Sequence, residues 1–277
     1  MHGNTRKKRN MYSIKAIALA AVLVLLGILL PIALSQRLEV DVYTIASPKV
    51  QNQVTLAVAT DLHDSFFGKD QRELIAAIRA ENPDALLLVG DMCETPDEMD
   101  GVRALVEGLA GELPVLYTTG NHECQGSEDK QIKAALREMG ATVLEGDSVE
   151  LGGIRIAGTD DPLCLTRADW QAQIEGCRAQ DDTFTVLMAH RPERVDSYAT
   201  GFDLVVSGHA HGGQICIPGL LDGLWAPNQG WFPEYTSGLY PLEEGQLAVS
   251  RGLCKSAIPR LFNRPELMIL HIVPEKM

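Results

Sequence analysis

Short apolar runs alternate with amphipathic stretches along most of the chain beyond about residue 50. Runs of four or five apolar residues are typical of strands that are buried on both faces. The first three such runs are Leu56–Ala59, Ala85–Val89 and Val115–Thr119. Helical spacing follows each of them, over about 71–80, 98–110 and 129–139. This alternation of strand and helix predicts an α/β fold.

A second group of apolar runs begins near residue 148 and predicts a second sheet. Ser148–Leu151 and Ile154–Gly158 flank a Gly-Gly pair and predict a hairpin. Beyond a helix expected over about 166–178, the further strand-like runs are 183–188, 203–206, 247–250 and 267–273. We expect the last two runs to close the second sheet. The stretch from Ile217 to Tyr240 is rich in Gly, Pro, Trp and Tyr, and it predicts a long ordered loop.

The N-terminal part has a different pattern, because Ala16–Leu34 contains 19 residues without a charge. A helix of that length extends roughly 30 Å, which is the thickness of the hydrocarbon core of a bilayer. The run therefore predicts a transmembrane signal anchor. A cleaved signal peptide with a small-x-small site at Ala33-Leu34-Ser35 is the alternative. Basic residues are more numerous before the run than just after it, so we expect the N-terminus in the cytoplasm and the rest of the chain outside.

These patterns divide the chain into a basic N-terminus over 1–15, the apolar span over 16–34, a polar connector over 35–53 and one domain over 54–277. Residues 1–37 include six basic and no acidic residues, whereas the chain from residue 38 onward has 18 basic and 37 acidic residues. An acidic domain lacks the lysines and arginines that bind a phosphate backbone, so we expect no nucleic-acid groove.

The six cysteines lack the CxxC spacing of zinc fingers. Cys93 and Cys124 each follow a polar segment closely and are candidates for a pair near a site. Small buried thiols are the alternative.

Five polar segments each come directly after an apolar run, and together they contain five of the seven histidines. The segments are Asp61-Leu62-His63, Gly90-Asp91, Gly120-Asn121-His122-Glu123, His190 and Gly208-His209-Ala210-His211. Asp61, Asp91 and Asn121 are spaced by 30 residues, which is the length of a β-α-β unit. Because the carboxyl ends of parallel strands meet at one edge of a sheet, we expect a single site there. Mixed imidazole and carboxylate ligands suit Mn, Fe or Zn better than Mg or Ca.

The order of these segments resembles that of the calcineurin-like metallophosphoesterases, whose pattern is D-x-H, G-D, G-N-H-[DE], a lone His and G-H-x-H. The resemblance covers about 55–275. Further segments resemble a narrower branch of membrane-associated bacterial phosphodiesterases: His190–Glu193, Gly212–Gln214, Ser250–Gly252 and Asn263–Glu266. The resemblance implies a sandwich of two mixed β-sheets flanked by helices, here preceded by one transmembrane helix. Glu94 departs from the pattern, since an aspartate often stands three residues after the G-D aspartate.

The resemblance also implies a role for each residue. The implied ligands are Asp61, His63 and His211 for one metal, Asn121, His190 and His209 for a second, and Asp91 between the two. His122 would stand near the leaving group as an acid or charge stabiliser, with Glu123 as a candidate orienting partner. Arg191 and Arg251 are candidates for binding a substrate phosphate, or for pairing with carboxylates of this acidic domain.

The implied function is that of a phosphodiesterase, or a phosphomonoesterase, with two divalent metal ions (Mn, Zn or Fe) and a metal-bridging hydroxide. The expected location is the cell membrane, with a single pass and an extracytoplasmic catalytic domain. A pyrophosphatase acting on a lipid-linked nucleotide, such as a UDP-2,3-diacylglucosamine hydrolase, is one alternative. A non-catalytic scaffold with the same fold is another, and the complete ligand set argues against it.

Overall fold

The computed structural model describes residues 3–126, 128–255 and 260–275, and in its first helix it describes the side chains of Lys15 and of residues from Ile17 onward. The helices are α1 (Gly3–Ala33), α2 (Arg72–Glu81), α3 (Asp100–Gly108), α4 (His122–Gln125), α5 (Asp129–Glu138) and α6 (Arg167–Cys177). The strands are β1 (Glu39–Ser47), β2 (Val54–Ala59), β3 (Ala85–Val89), β4 (Val115–Thr118), β5 (Thr142–Val143), β6 (Asp147–Leu151), β7 (Ile154–Gly158), β8 (Thr185–Met188), β9 (Leu204–Ser207), β10 (Trp225–Ala226), β11 (Gly230–Trp231), β12 (Gly238–Pro241), β13 (Gln246–Val249) and β14 (Glu266–Pro274).

Among the described residues, the long strands form two six-stranded sheets, and β10 and β11 form a separate small pair. The first sheet has the order β1-β14-β2-β3-β4-β5, and the second has the order β12-β13-β9-β8-β7-β6. Strands β2 to β5 run parallel in the first sheet, as do β7, β8, β9 and β13 in the second. Antiparallel pairs make both sheets mixed, for example β14 with β2 and β6 with β7. The predicted α/β fold with two mixed sheets is therefore confirmed.

The two sheets pack face to face around one apolar core. Leu56 and Leu87 of the first sheet share this core with Val186 and Val206 of the second, and all four are fully buried. On the outer face of the first sheet lie α2, α3 and α5, and α6 covers the outer face of the second. Because both faces of the central strands are covered, their sequences are continuous apolar runs, and this is why the sequence pattern located them.

Two strands differ from the expectations. The last apolar run was expected in the second sheet, which is wrong, because β14 lies in the first sheet between β1 and β2. Residues 39–47, expected within a polar connector, form β1 and pair with β14 over nine residues. As an edge strand with acidic side chains such as Glu39 and Asp41, β1 lacks the apolar run that identified the central strands.

The first helix, α1, ends at Ala33, whose carbonyl accepts a hydrogen bond from the backbone of Phe262. Its large apolar side chains from Ile17 to Ile32 are between 40% and 70% exposed. Among the described residues, no helix has both the length and the apolar character needed to cross a membrane. The predicted transmembrane span is thus not confirmed. The predicted basic N-terminus over 1–15 lies outside the described side chains, apart from Lys15.

Candidate metal centre

The five polar segments follow five strands whose carboxyl ends point to one edge of the sandwich. Asp61 comes after β2, Asp91 after β3 and Asn121 after β4, and these strands are neighbours in the first sheet. The second sheet contributes His190 after β8, and His209 and His211 after β9. The sandwich therefore brings together seven predicted ligands that are up to 150 residues apart in the chain.

The glycines of these segments allow the loops to touch. A Cβ atom at Gly90 would lie 2.6 Å from the Cα of Gly120 and 2.6 Å from Nδ1 of His190. At Gly208 a Cβ would lie 2.4 Å from Oδ2 of Asp61. Any side chain at these two positions would push the ligand loops apart, which explains why a glycine directly precedes Asp91 and His209.

Five of the predicted ligands have a left-handed backbone conformation. Their φ angles are 49° for Asp61, 44° for His63, 54° for Asp91, 64° for His209 and 47° for His211. Such a conformation costs a non-glycine residue roughly 1–3 kcal/mol, and it is least unfavourable for Asp, Asn and His. The fold accepts this cost at the residues whose polar atoms converge, as is common at functional sites.

The carboxylate of Asp91 lies at the centre of the cluster. Its Oδ2 is 3.1 Å from Nε2 of His190 and 3.8 Å from Nε2 of His63, and the residue is fully buried. Its Oδ1 accepts a hydrogen bond of 2.8 Å from the backbone of His122, which fixes the carboxylate. Burial raises the pKa of Asp91, but the charges of His190 and His63 outweigh burial and hold the pKa well below its usual value. Asp91 is thus a buried anion that faces imidazoles of both predicted metal positions.

The donor atoms fit two cations that share Asp91. Two groups of three ligand atoms lie within 4.8 Å of one another: Asp61, His63 and Asp91 in one, and Asp91, His190 and His209 in the other. Five buried atoms at this site have no hydrogen-bond partner: Nε2 of His63, Oδ2 of Asp91, Oδ1 of Asn121, Nε2 of His190 and Nδ1 of His211. Each unsatisfied buried group costs about 1–3 kcal/mol, and a bound cation would satisfy them together. Nitrogen and oxygen donors in this mixture suit Mn, Fe or Zn.

The protonation of the imidazoles agrees with ligand roles. Burial lowers the pKa of His209 and His211 to about 4, so both rings are neutral near pH 7 and can donate a lone pair. Burial also opposes the charge on His190, but Asp91 and Asp61 raise its pKa to about 10. The two carboxylates that attract a proton there would equally attract a metal ion in its place. Nδ1 of His190 contacts the Val89 carbonyl oxygen at 2.8 Å, which leaves Nε2 directed at the site.

His122 lies at the rim of the cluster, where its side chain is 31% exposed. Its Nε2 is 3.9 Å from Oδ2 of Asp91, and its Nδ1 is hydrogen-bonded to Oε2 of Glu94. The other oxygen of Glu94 lies 2.6 Å from Nδ1 of His63. The hydrogen bond from His63 lowers the pKa of Glu94 against the effect of partial burial, and His122 lowers it further. Glu94 was noted in the sequence only as a departure from the family pattern, and its position between two histidines was not foreseen.

Glu123 was expected as an orienting partner of His122, and the structure gives it a different role. Its carboxylate is 1% exposed and accepts backbone hydrogen bonds from Asp91, Met92 and Gly120 at 3.0, 2.7 and 2.9 Å. Burial and the nearby Asp91 raise its pKa to about 7. Glu123 therefore joins the loops after β3 and β4, while Glu94 is the partner of His122.

The two candidate arginines are both paired with carboxylates. Nε of Arg191 donates to Asp161 at 2.6 Å, and its Nη1 donates to Oδ1 of Asn228 at 3.0 Å. The same Asn228 oxygen is 2.9 Å from Nε2 of His209, so Arg191 adjoins the site through Asn228. Asn228 lies in the predicted long loop, where no sequence pattern marked it. Arg251 is hydrogen-bonded to Glu39 and Asp41 of β1, as the alternative interpretation expected.

Cys124 forms a disulfide bond with Cys164, with Cα atoms 5.0 Å apart. This bond connects α4, which begins at His122, to the loop before α6. Cys124 therefore does not pair with Cys93, which is a buried free thiol, as the alternative interpretation expected.

Two mixed sheets with a histidine and aspartate cluster at their strand ends define a metal-binding α/β protein. The profile of the calcineurin-like phosphoesterase family matches residues 54–213 of this chain. The chain therefore belongs to the calcineurin-like phosphoesterases, a family of metal-dependent phosphoesterases.

Several known proteins are similar to it. An uncharacterized metallophosphoesterase of Campylobacter jejuni is 28% identical over 249 residues, covering 86% of this chain and 64% of the relative. The uncharacterized metallophosphoesterase YkuE of Bacillus subtilis is 29% identical, covering 75% of this chain and 74% of the relative. A transmembrane protein with metallophosphoesterase domain from Bos taurus is 26% identical, covering 85% of this chain and 56% of the relative. The matched region is thus less than two thirds of the length of the Campylobacter and Bos relatives.

Proposed function

We propose that this chain is a dinuclear-metal phosphoesterase that hydrolyses phosphodiester or phosphomonoester bonds. The observation that carries the proposal is that Asp91 belongs to two groups of converging ligand atoms, one with Asp61 and His63 and one with His190 and His209. His211 adjoins the first group, since its Nε2 is 3.6 Å from Oδ1 of Asp61. The buried Asn121 would complete the second.

The chemistry is divided between the metals and the protein. Two divalent cations (Mn, Zn or Fe), when bound, would supply an activated water and neutralise charge on the phosphoryl oxygens. His122 is the proton donor to the leaving oxygen, because its side chain at the rim is 31% exposed and its Nε2, 3.9 Å from Oδ2 of Asp91, is not hydrogen-bonded in the described residues. Glu94 holds Nδ1 of this ring, so that Nε2 faces the substrate. Glu94 thereby acts as a positioning residue.

We also propose that Ala16–Leu34 anchors the chain in the cell membrane by a single pass, with the N-terminus in the cytoplasm and the domain outside. The exposure of the large apolar side chains of α1 supports an apolar environment for this helix. The disulfide between Cys124 and Cys164 supports an oxidising compartment, because such bonds are rare in the cytoplasm. A reporter fused to the C-terminus tests the orientation: activity only in the cytoplasm would contradict it.

A cleft beside the end of α1 favours a lipid-linked substrate, as in the pyrophosphatase alternative. It has a volume of about 580 Å³, and its walls include the apolar side chains of Leu38, Val40 and Phe67. The cationic side chains of Arg37 and Lys255 also line it, together with the acidic side chain of Glu73. Phe67 lies four residues after the predicted ligand His63, so the cleft adjoins the loop that carries this ligand. An acyl chain could lie on the apolar wall while an anionic group contacts the two cations.

The proposed activity is tested with the full-length chain, purified in detergent and stripped of metal. Mn, Zn or Fe is then restored in separate samples. We expect hydrolysis of bis-p-nitrophenyl phosphate only after metal is restored, and loss of both metal and activity in Asp91→Asn. Asp182→Asn is the matched control, because this carboxylate is 90% exposed. Absence of turnover with all three metals would contradict the proposed enzymatic function. Bound metal without turnover would favour the alternative of a non-catalytic scaffold. Faster hydrolysis of a diacylated UDP-sugar than of UDP-glucose would support the lipid-linked substrate.

A further inference from the structure

Cys254 places a thiol beside the first predicted metal position. Its Sγ and a ring nitrogen from each of His63 and His211 all lie within 4.8 Å of one another. Cys254 is partly exposed and forms no disulfide. Among the free cysteines of the described residues, none of the others belongs to such a group.

The backbone on either side of Cys254 is fixed against the site. The amide of Leu253 donates to the carbonyl of Thr60 at 2.9 Å, directly before the ligand Asp61. A Cβ atom at Gly252 would lie 2.7 Å from Oδ2 of Asp61, so this segment touches the carboxylate. These contacts hold the residues just before Cys254 at the metal position.

A buried arginine ties the same segment to His211. Arg260 is fully buried, and its Nη1 donates to the carbonyls of Gly252 and Cys254 at 3.2 and 3.1 Å. Its Nη2 donates to Oδ1 of Asn263 at 2.9 Å, and Nδ2 of Asn263 donates to the carbonyl of His211 at 2.7 Å. A chain of three hydrogen bonds, through Arg260 and Asn263, thus connects the backbone of Cys254 to that of His211.

Unsatisfied ring nitrogens at the same place indicate a shared ligand. The side chain of His63 is only 10% exposed, its Nδ1 is occupied by Glu94, and its Nε2 is buried without a partner. Nδ1 of His211 is likewise buried without a partner. A cation bound by these imidazoles lies within reach of the Cys254 sulfur.

We propose that Cys254 supplies a thiolate ligand to the metal held by Asp61, His63 and His211. This inference rests on the proposed metal centre and adds a sulfur donor to it. Thiolate ligands favour Zn²⁺ or Fe²⁺ over Mn²⁺, so the first position is selective for the softer ions. Binding converts the thiol to a thiolate and releases its proton to solvent.

Cobalt substitution tests the proposal, because a sulfur ligand gives Co²⁺ a charge-transfer band in the near ultraviolet that nitrogen and oxygen ligands do not. The full-length, metal-free chain is titrated with Co²⁺, and its spectrum and bound cobalt are measured together. We expect the band in the wild type and in Cys177→Ser, a buried free cysteine whose thiol donates to the Gly158 carbonyl and belongs to the apolar core beneath α6. We expect Cys254→Ser to bind cobalt without the band. The affinity of this variant for Zn²⁺ should fall at least about tenfold. Substitution of a residue that only holds a metal ligand in place already lowers metal affinity about 10–100-fold.

Alkylation of the wild-type protein provides a second measurement that requires no variant. Zn²⁺ should protect Cys254 from iodoacetamide while Cys216, also partly exposed, reacts at an unchanged rate. Two bound cobalt ions without the band, or equal alkylation of Cys254 with and without Zn²⁺, would overturn the thiolate ligand and leave the dinuclear centre standing. Failure to bind any cobalt would overturn both.

Discussion

Glu94 links the predicted acid to a predicted metal ligand, because its two oxygens contact Nδ1 of His122 and Nδ1 of His63. The main difference between the two rings is exposure: His122 is 31% exposed and His63 is 10% exposed. Nε2 of both rings lies at a similar distance from Oδ2 of Asp91, 3.8 Å for His63 and 3.9 Å for His122, but the ring of His122 is more open to a substrate. At the scale of single residues, we expect burial to separate the proposed proton donor from the proposed ligand of the same chemical type.

Replacing His122 by alanine should lower kcat by about 10²–10⁴-fold, as expected for loss of a general acid. Metal content should stay unchanged, because the ring is absent from both ligand groups that share Asp91. Turnover of bis-p-nitrophenyl phosphate and metal analysis of the same sample check this. His271→Ala is the control, because that ring contacts Thr55 within the first sheet. Loss of a metal from His122→Ala would show that His122 is a ligand.

At the scale of elements, the loops after β3 and β4 are held together by one buried carboxylate. Glu123 accepts three backbone N–H groups from these loops, and no other acceptor of the described residues bonds to the Gly120 amide. The loops carry Asp91 and Asn121, so this contact sets the distance between the proposed bridging ligand and a proposed terminal ligand.

Glu123→Gln should lower the free energy of unfolding by about 1.5–3 kcal/mol, which is the range for hydrogen bonds to a charged group. The glutamine amide places a donor against backbone donors and leaves fewer acceptor sites than the carboxylate. Chemical denaturation of the purified chain measures the change, with the exposed Glu138→Gln as control. Equal stability of the two variants would contradict the assigned role.

The disulfide is a second connection between elements, from α4 to the loop before α6. It closes a loop with a sequence separation of 40 residues. Replacing both Cys124 and Cys164 by serine should destabilise the chain by about 2–4 kcal/mol, mainly through the unfolded state. Thermal unfolding with and without reductant tests this: reductant should lower the Tm of the wild type and leave that of the double variant unchanged. An unchanged wild-type Tm would contradict the disulfide.

At the scale of the whole molecule, the central strands were predictable and the chain ends were not. β3 has the predicted bounds, because a parallel strand covered on both faces must be apolar throughout. The pairing of β1 with β14 joins residues more than 200 positions apart, and β1 carries polar side chains. The candidate ligands could be predicted because they follow apolar runs, three of them at regular spacing, whereas Glu94 and Asn228 are identified by individual contacts without any periodicity.

The sandwich gathers the buried carboxylates of Asp61 and Asp91 in one place, so a bound cation should stabilise the whole fold. Removing metal with a chelator should lower the Tm. Adding metal back at 100 times its Kd should raise the free energy of unfolding by about 2.7 kcal/mol. Differential scanning calorimetry of the full-length chain checks this. Asp91→Asn should show little response to metal, whereas Asp182→Asn should respond like the wild type. A Tm that is insensitive to chelation would contradict the metal centre.

The claim that two metals act at one site is tested most directly by titrating the metal-free, full-length chain with Zn²⁺ or Mn²⁺ and measuring the initial rate of bis-p-nitrophenyl phosphate hydrolysis. The shared position of Asp91 predicts that the rate reaches its plateau at two equivalents per chain. A plateau at one equivalent, or no hydrolysis at any ratio, would contradict the account.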